Sequence, residues 1–213
     1  MTEGAAVTSA EALQRLIAGN ERFVRGASAQ RPPQHDRLVE LVEAQHPFAT
    51  ILGCSDSRVP PEMVFDQGSG DLFIVRVAGN VVGTETLGSL GYALEHLATP
   101  LFVVLGHEGC GAVQAALQRR LGGATEPGRI AELLDAILPA LKGIDPSEPP
   151  AARLHRAVEA NVRWAVRQLA ATPAGGAALA DGRIGLIGAV YELATGRVRF
   201  LREEGPQALR NPS

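Results

Sequence analysis

The chain has 213 residues, 46% of them hydrophobic and 20% charged, with a net charge of −3. That length suits one domain with a sizeable core, or at most two small ones. No basic excess points to nucleic acid or an anionic membrane as partner, and glycine, proline or charged residues interrupt every apolar run short of a membrane span.

Met1-Thr2-Glu3-Gly4-Ala5-Ala6-Val7 lacks the basic-then-apolar layout of a signal peptide, so a cytoplasmic location is expected. Thr8-Ser9-Ala10-Glu11 is a capping-box pattern. It opens a helix with Leu13, Leu16 and Ile17 on one face, and Gly19 is the expected stop. Residues 27–35 read as an extended arm, followed by a short helix over 37–44. Gln45-His46-Pro47 breaks into a first strand over 48–52.

Pro60-Pro61 can start a short helix, because proline is tolerated in the first turn. Residues 72–77 form a second strand, ending in Ala78-Gly79-Asn80. A helix over 83–97 places Leu87, Leu90, Leu94 and Leu97 at helical spacing, and Pro100 ends it. The third strand is 101–105, and a helix over 111–121 follows. Residues 130–141 are helical, with Leu133, Leu134, Ile137 and Leu138 as the apolar face. Asp145-Pro146-Ser147-Glu148-Pro149-Pro150 is a linker. A long helix over 151–170 buries Leu154, Val158, Val162, Ala165 and Leu169. Residues 185–191 form a fourth strand, and Thr195-Gly196 turns into a final one over 198–201. Strands alternating with helices imply an α/β fold, a mainly parallel central β-sheet flanked by helices with an antiparallel final pair.

Both cysteines sit in polar turns at the ends of strand-like runs: Leu52-Gly53-Cys54-Ser55-Asp56-Ser57-Arg58 and Gly106-His107-Glu108-Gly109-Cys110-Gly111. Ligands bind just outside the carboxyl ends of such strands in open α/β sheets. In a reducing compartment two cysteines argue for metal or catalysis rather than a disulfide. Cys54, His107 and Cys110 offer zinc two thiolates and an imidazole, and three protein ligands leave a fourth position open for chemistry. The bland alternative is two cysteines at the edge of the core and a satisfied histidine. Asp56 can bind the metal directly or accept a hydrogen bond from its water, with Arg58 holding it by a bidentate pair. The alternative is a loop salt bridge that only shapes the turn.

Cys54-Ser55-Asp56-Ser57-Arg58 with His107-x-x-Cys110 resembles the zinc signature of the beta-class carbonic anhydrases. Leu16-Ile17-Ala18-Gly19-Asn20-Glu21-Arg22-Phe23, Val75-Arg76-Val77-Ala78-Gly79-Asn80 and Gly188-Ala189-Val190-Tyr191-Glu192-Leu193 extend the resemblance over nearly the whole chain. It implies a single domain over 1–213: a helical arm, 1–45, packing on a partner subunit, and a zinc-binding α/β core, 46–213. It also implies a homodimer or dimer of dimers, one Zn2+ per subunit, and reversible hydration of CO2 to bicarbonate and a proton. Carried over to this chain, Cys54, His107 and Cys110 bind zinc, and Asp56 with Arg58 is the catalytic dyad.

Gln45, Phe73 and Tyr92 stand where the plant-like, open-site members have the Gln, Phe and Tyr that line the substrate pocket. Gly111 would leave room, and a backbone N–H, for substrate. In that type Asp56 stays off the metal, and it becomes a ligand only if the site closes. Taken singly, Gln45 can cap the turn before Pro47, Phe73 and Tyr92 can be core aromatics, and Gly111 can serve the helix start. Trp164 is expected in the core. His96 is either a proton shuttle or a histidine on the face of a packed helix. The other functions kept open are hydrolysis of a related heterocumulene such as CS2 or COS, a structural zinc module, and a thiol redox protein.

Overall fold

Short continuous apolar runs become strands here, and Ala49–Gly53, Leu101–His107 and Gly185–Tyr191 are buried along their whole length because both faces of the sheet are covered. The computed structural model describes residues 7–29, 35–123 and 126–201. Its strands are β1 (Ala49–Gly53), β2 (Leu72–Arg76), β3 (Leu101–His107), β4 (Gly185–Tyr191) and β5 (Val198–Phe200). They order as β2-β1-β3-β4-β5; the first four are parallel and β5 is antiparallel to β4. The expected α/β architecture is observed.

The helices are α1 (Ser9–Val24), α2 (His35–Glu43), α3 (Pro61–Val64), α4 (Thr84–His96), α5 (Gly111–Arg120), α6 (Gly128–Ile137), α7 (Pro150–Ala170) and α8 (Pro173–Ala180). Alternate strand residues face opposite layers. Ile51, Val103 and Ile187 pack with Leu13, Leu16, Val64 and Phe65 of the α1–α3 layer. Leu52, Val104 and Leu186 pack with Leu94, Val113, Ile137 and Val162 of the α4–α7 layer. Among the described residues no helix is long and apolar enough to cross a membrane.

Four local expectations change. Gly19 does not end α1, which continues to Val24. It is buried, and a Cβ there would lie 1.8 Å from the Phe65 carbonyl oxygen, so the glycine permits close contact with the loop after α3. β3 extends past residue 105, because Gly106 and His107 continue the ladder opposite Val190 and Tyr191. The helix expected over 130–141 divides into α6 and a 3-10 turn, Leu138–Leu141, where Pro139 lacks the N–H an α-helix needs. α8 was not anticipated; the Thr172 hydroxyl caps it by accepting from Gly175 N–H, and Pro173 fits its first turn.

The N-terminal segment has two parts. The Thr8–Glu11 capping box forms, and α1 buries Ala12, Leu13 and Leu16 against its own sheet. Asn20 bonds the Val64 and Gly196 carbonyls and the Val198 N–H, tying α1 to α3 and to the final hairpin. α2, by contrast, leaves Leu38, Val39 and Val42 exposed. Residues 30–34 of the expected extended arm lie outside the described residues.

α7 approaches the sheet closely. Cβ atoms at Gly106 and Gly188 would lie 2.5 and 2.7 Å from the Val162 methyls, so only glycine at these strand positions lets the helix sit at this depth. The same approach buries Asn161, on the helix face that carries Val158 and Val162, against the turn after β2.

Candidate metal centre and catalytic dyad

β1 and β3 are adjacent parallel strands, so their carboxyl ends deliver Cys54 and His107 to the same edge of the sheet. Cys110 follows in the turn that begins α5, at its N-cap position. The two Sγ atoms are 4.0 Å apart, and both cysteines are buried and free. A ring nitrogen of His107 and the two sulfurs lie within 4.8 Å of one another. Two bonds of about 2.3 Å at a tetrahedral angle span about 3.8 Å, so the sulfur separation suits zinc.

His107 is fully buried. Its Nδ1 donates to the Glu108 carbonyl at 2.9 Å, which leaves the Nε2 lone pair free. Nε2 is buried and has no hydrogen-bond partner. A buried nitrogen without a partner is costly unless something takes its lone pair. A zinc ion beside two sulfurs fits that requirement, and a fixed tautomer is the usual arrangement for a metal-binding histidine.

Without metal, the sulfurs share protons unequally. The Cys110 thiol beside it, with the Gly79 backbone N–H, holds the Cys54 thiol far below its ordinary value. Cys54 in turn, together with burial, pushes the Cys110 thiol up.

Asp56 and Arg58 form the bidentate pair expected of them. Arg58 Nε donates to Oδ1 at 2.9 Å and Nη2 to Oδ2 at 2.7 Å, while the Arg58 backbone N–H also reaches Oδ1 at 3.0 Å. The guanidinium holds the Asp56 carboxyl well below the usual carboxylate range. Asp56 Oδ2 stands 3.8 Å from His107 Nε2, directly beside the sulfur–nitrogen cluster. Arg58 Nη2 also reaches the Gly109 carbonyl at 3.5 Å, joining the two motifs.

The residues expected to line the pocket divide. Phe73 of β2 and Tyr92 of α4 come together, with ring centroids 6.2 Å apart. Tyr92 is 48% exposed, too open for an ordinary core aromatic, and the exposed His96 lies against it at 4.9 Å. Gln45 is exposed in the loop before β1. Gly111 opens α5, with nothing within 4 Å of where a Cβ would sit. Trp164 is half-buried rather than fully in the core, with the Arg167 guanidinium 5.7 Å over its ring.

Three residues at the site carry no signal in the cysteine motifs. Arg76, at the end of β2, donates to the Cys54 carbonyl at 2.9 Å and the Asp56 carbonyl at 2.6 Å, fixing the first loop. Gly79 directs its N–H at Cys54 Sγ, 3.3 Å away. Asn161 donates to the Gly79 carbonyl at 2.8 Å. An asparagine within an apolar helical stripe was the available clue for Asn161.

The profile of the carbonic anhydrase family matches residues 49–198. A carbonic anhydrase of Mycolicibacterium smegmatis is 38% identical over 190 residues, covering 89% of this chain and 91% of its own. This chain belongs to the beta-class carbonic anhydrase family. Carbonic anhydrase 2 of Mycobacterium tuberculosis is 37% identical over 187 residues, 87% of this chain and 89% of its own. The Coccomyxa beta-carbonic anhydrase, solved with acetazolamide, superposes with a TM-score of 0.72 at 25% identity, covering 90% of this chain and 86% of that one. A tetrameric beta-carbonic anhydrase of Sordaria macrospora shares the fold, with a TM-score of 0.72 at 23% identity over 89% of this chain and 96% of its own. The chain is therefore an enzyme of the carbonic anhydrase family, whose general reaction is CO2 hydration, and it carries a Cys-His-Cys cluster compatible with zinc.

Proposed function

We propose that this chain catalyses the reversible hydration of CO2, with one zinc ion per subunit held by Cys54 Sγ, Cys110 Sγ and His107 Nε2. The observation that carries this reading is the partnerless buried Nε2 beside two sulfurs, with a clamped carboxylate next to it. Bound there, zinc is a Lewis acid that lowers the pKa of water from 15.7 to about 7.

The chain's own residues do the rest. Asp56 accepts a hydrogen bond from the attacking water and aims its lone pair at carbon. Arg58 keeps Asp56 ionised and engages both carboxylate oxygens, which holds Asp56 off the metal and supports the open-site reading. Phe73 and Tyr92 provide an apolar surface for CO2. Gln45 donates to the substrate oxygen that gains charge during attack. Gly111 leaves space beside Cys110 for that oxygen.

The exposed Leu38, Val39 and Val42 of α2, and the exposed face of Tyr92, are apolar surface that a second subunit would cover. A homodimer or a dimer of dimers is therefore the proposed assembly, with the pocket residues at its interface. Two free thiols at a metal site suit a reducing compartment, the cytoplasm. X-ray absorption at the zinc edge tests the ligand set. Two sulfur and one nitrogen neighbours are expected; a shell without sulfur would overturn it.

A further inference from the structure

We infer that Asn161 is a positioning residue for the metal-binding thiolate of Cys54, acting through the backbone of Gly79. The inference rests on the proposed ligand set and goes beyond it, to a residue 107 positions away (161 − 54) on another element.

The Cys54 loop is held by Arg76, which donates to the Cys54 and Asp56 carbonyls. A backbone N–H from outside that loop, that of Gly79 in the turn after β2, is aimed at Cys54 Sγ from 3.3 Å. The same Gly79 residue accepts from Asn161 Nδ2 through its carbonyl, at 2.8 Å. Asn161 is 3% exposed, so this amide has little water to compete for it.

The turn is held from several sides. Gly79 has φ +67°, and a Cβ there would lie 2.8 Å from Ile137 Cδ1 and 3.2 Å from Ala112 Cβ. That close wall of α5 and α6 side chains leaves room only for glycine. Asn161 fixes the residue from the α7 side. α7 stands near enough to do so because Gly106 and Gly188 lack side chains where Val162 packs. A hydrogen bond donated to a thiolate draws charge from the sulfur and orients its lone pairs, and groups that orient metal ligands tune both affinity and electronics.

The test replaces Asn161 with leucine, similar in size but without a donor. Co2+ is the spectroscopic probe, because thiolate-to-cobalt charge transfer reports directly on sulfur. In the unaltered protein, absence of that band would overturn the ligand set and this inference together. With the band present, Asn161→Leu is expected to move it to longer wavelength, since a sulfur with one weaker hydrogen bond gives up its electron more readily. Zn2+ binding measured by chelator competition is expected to weaken about tenfold to a hundredfold. An unchanged band and unchanged Zn2+ affinity would overturn the inference, even if the metal-free variant melted earlier, because a purely structural amide would do only that. Should Asn161→Leu fail to fold, Asn161→Ala is read by the same band with the same two outcomes.

Discussion

Arg58 engages both oxygens of Asp56, at 2.9 and 2.7 Å, and the carboxylate so fixed stands 3.8 Å from the partnerless His107 Nε2. An ordinary surface ion pair contributes little. This one instead restricts where a carboxylate can go. Asp56→Asn is expected to retain zinc and lose most CO2 hydration, since an amide nitrogen at that place donates where an acceptor is needed. Zinc content and stopped-flow rates check it; full activity would remove Asp56 from the mechanism.

The Asp56–Arg58 pair also sets an acid limit. A carboxylate whose folded pKa is depressed contributes stability that is present above its unfolded value, about 3.9, and is lost as pH falls through the lower folded value. For Asp56 that window lies below about pH 4, and Arg58 is its largest cause. Arg58→Gln is expected to raise the Asp56 titration toward the ordinary carboxylate range. Carbon-13 carboxyl titration reads this directly, and an unmoved Asp56 would contradict the assigned cause.

Cys110→Ser is expected to lose zinc and, with it, the stability that metal binding adds to the folded state. Thermal unfolding with and without added Zn2+ should separate the unaltered protein into two midpoints and leave the variant with one. A variant with normal zinc content would refute its role as ligand.

Gly188→Ala is expected to destabilise the protein by about 1–3 kcal/mol through overpacking. The new Cβ would meet a Val162 methyl at 2.7 Å and drive α7 off the sheet. Urea denaturation measures this, and no loss of stability would mean that α7 moves freely.

Gln45→Ala is expected to slow turnover without lowering the unfolding midpoint, because Gln45 is exposed and holds no core contact in the single chain. An unchanged rate would return Gln45 to a turn-capping role.

The strand ends and the residues on them were legible in the sequence because each lies in a short local pattern. Cys54, Asp56 and Arg58 are consecutive alternate residues, and His107 and Cys110 share one turn. The residues that support them were not legible, because their partners are distant in sequence. Arg76 serves a loop twenty residues away, and Asn161 a glycine 82 positions away (161 − 79). Gly19 differs from its local signal for a related reason. A glycine in a helix signals a stop locally, whereas here its use is decided by Phe65, which the local pattern cannot see. The local pattern ends the third strand at residue 105, but pairing with β4 carries the ladder through Gly106.

The most direct measurement is stopped-flow CO2 hydration on one sample, before zinc removal, after it, and after zinc is restored. The account predicts activity that disappears with the metal and returns with it. Zinc-replete protein with no hydration activity at or above neutral pH would contradict it.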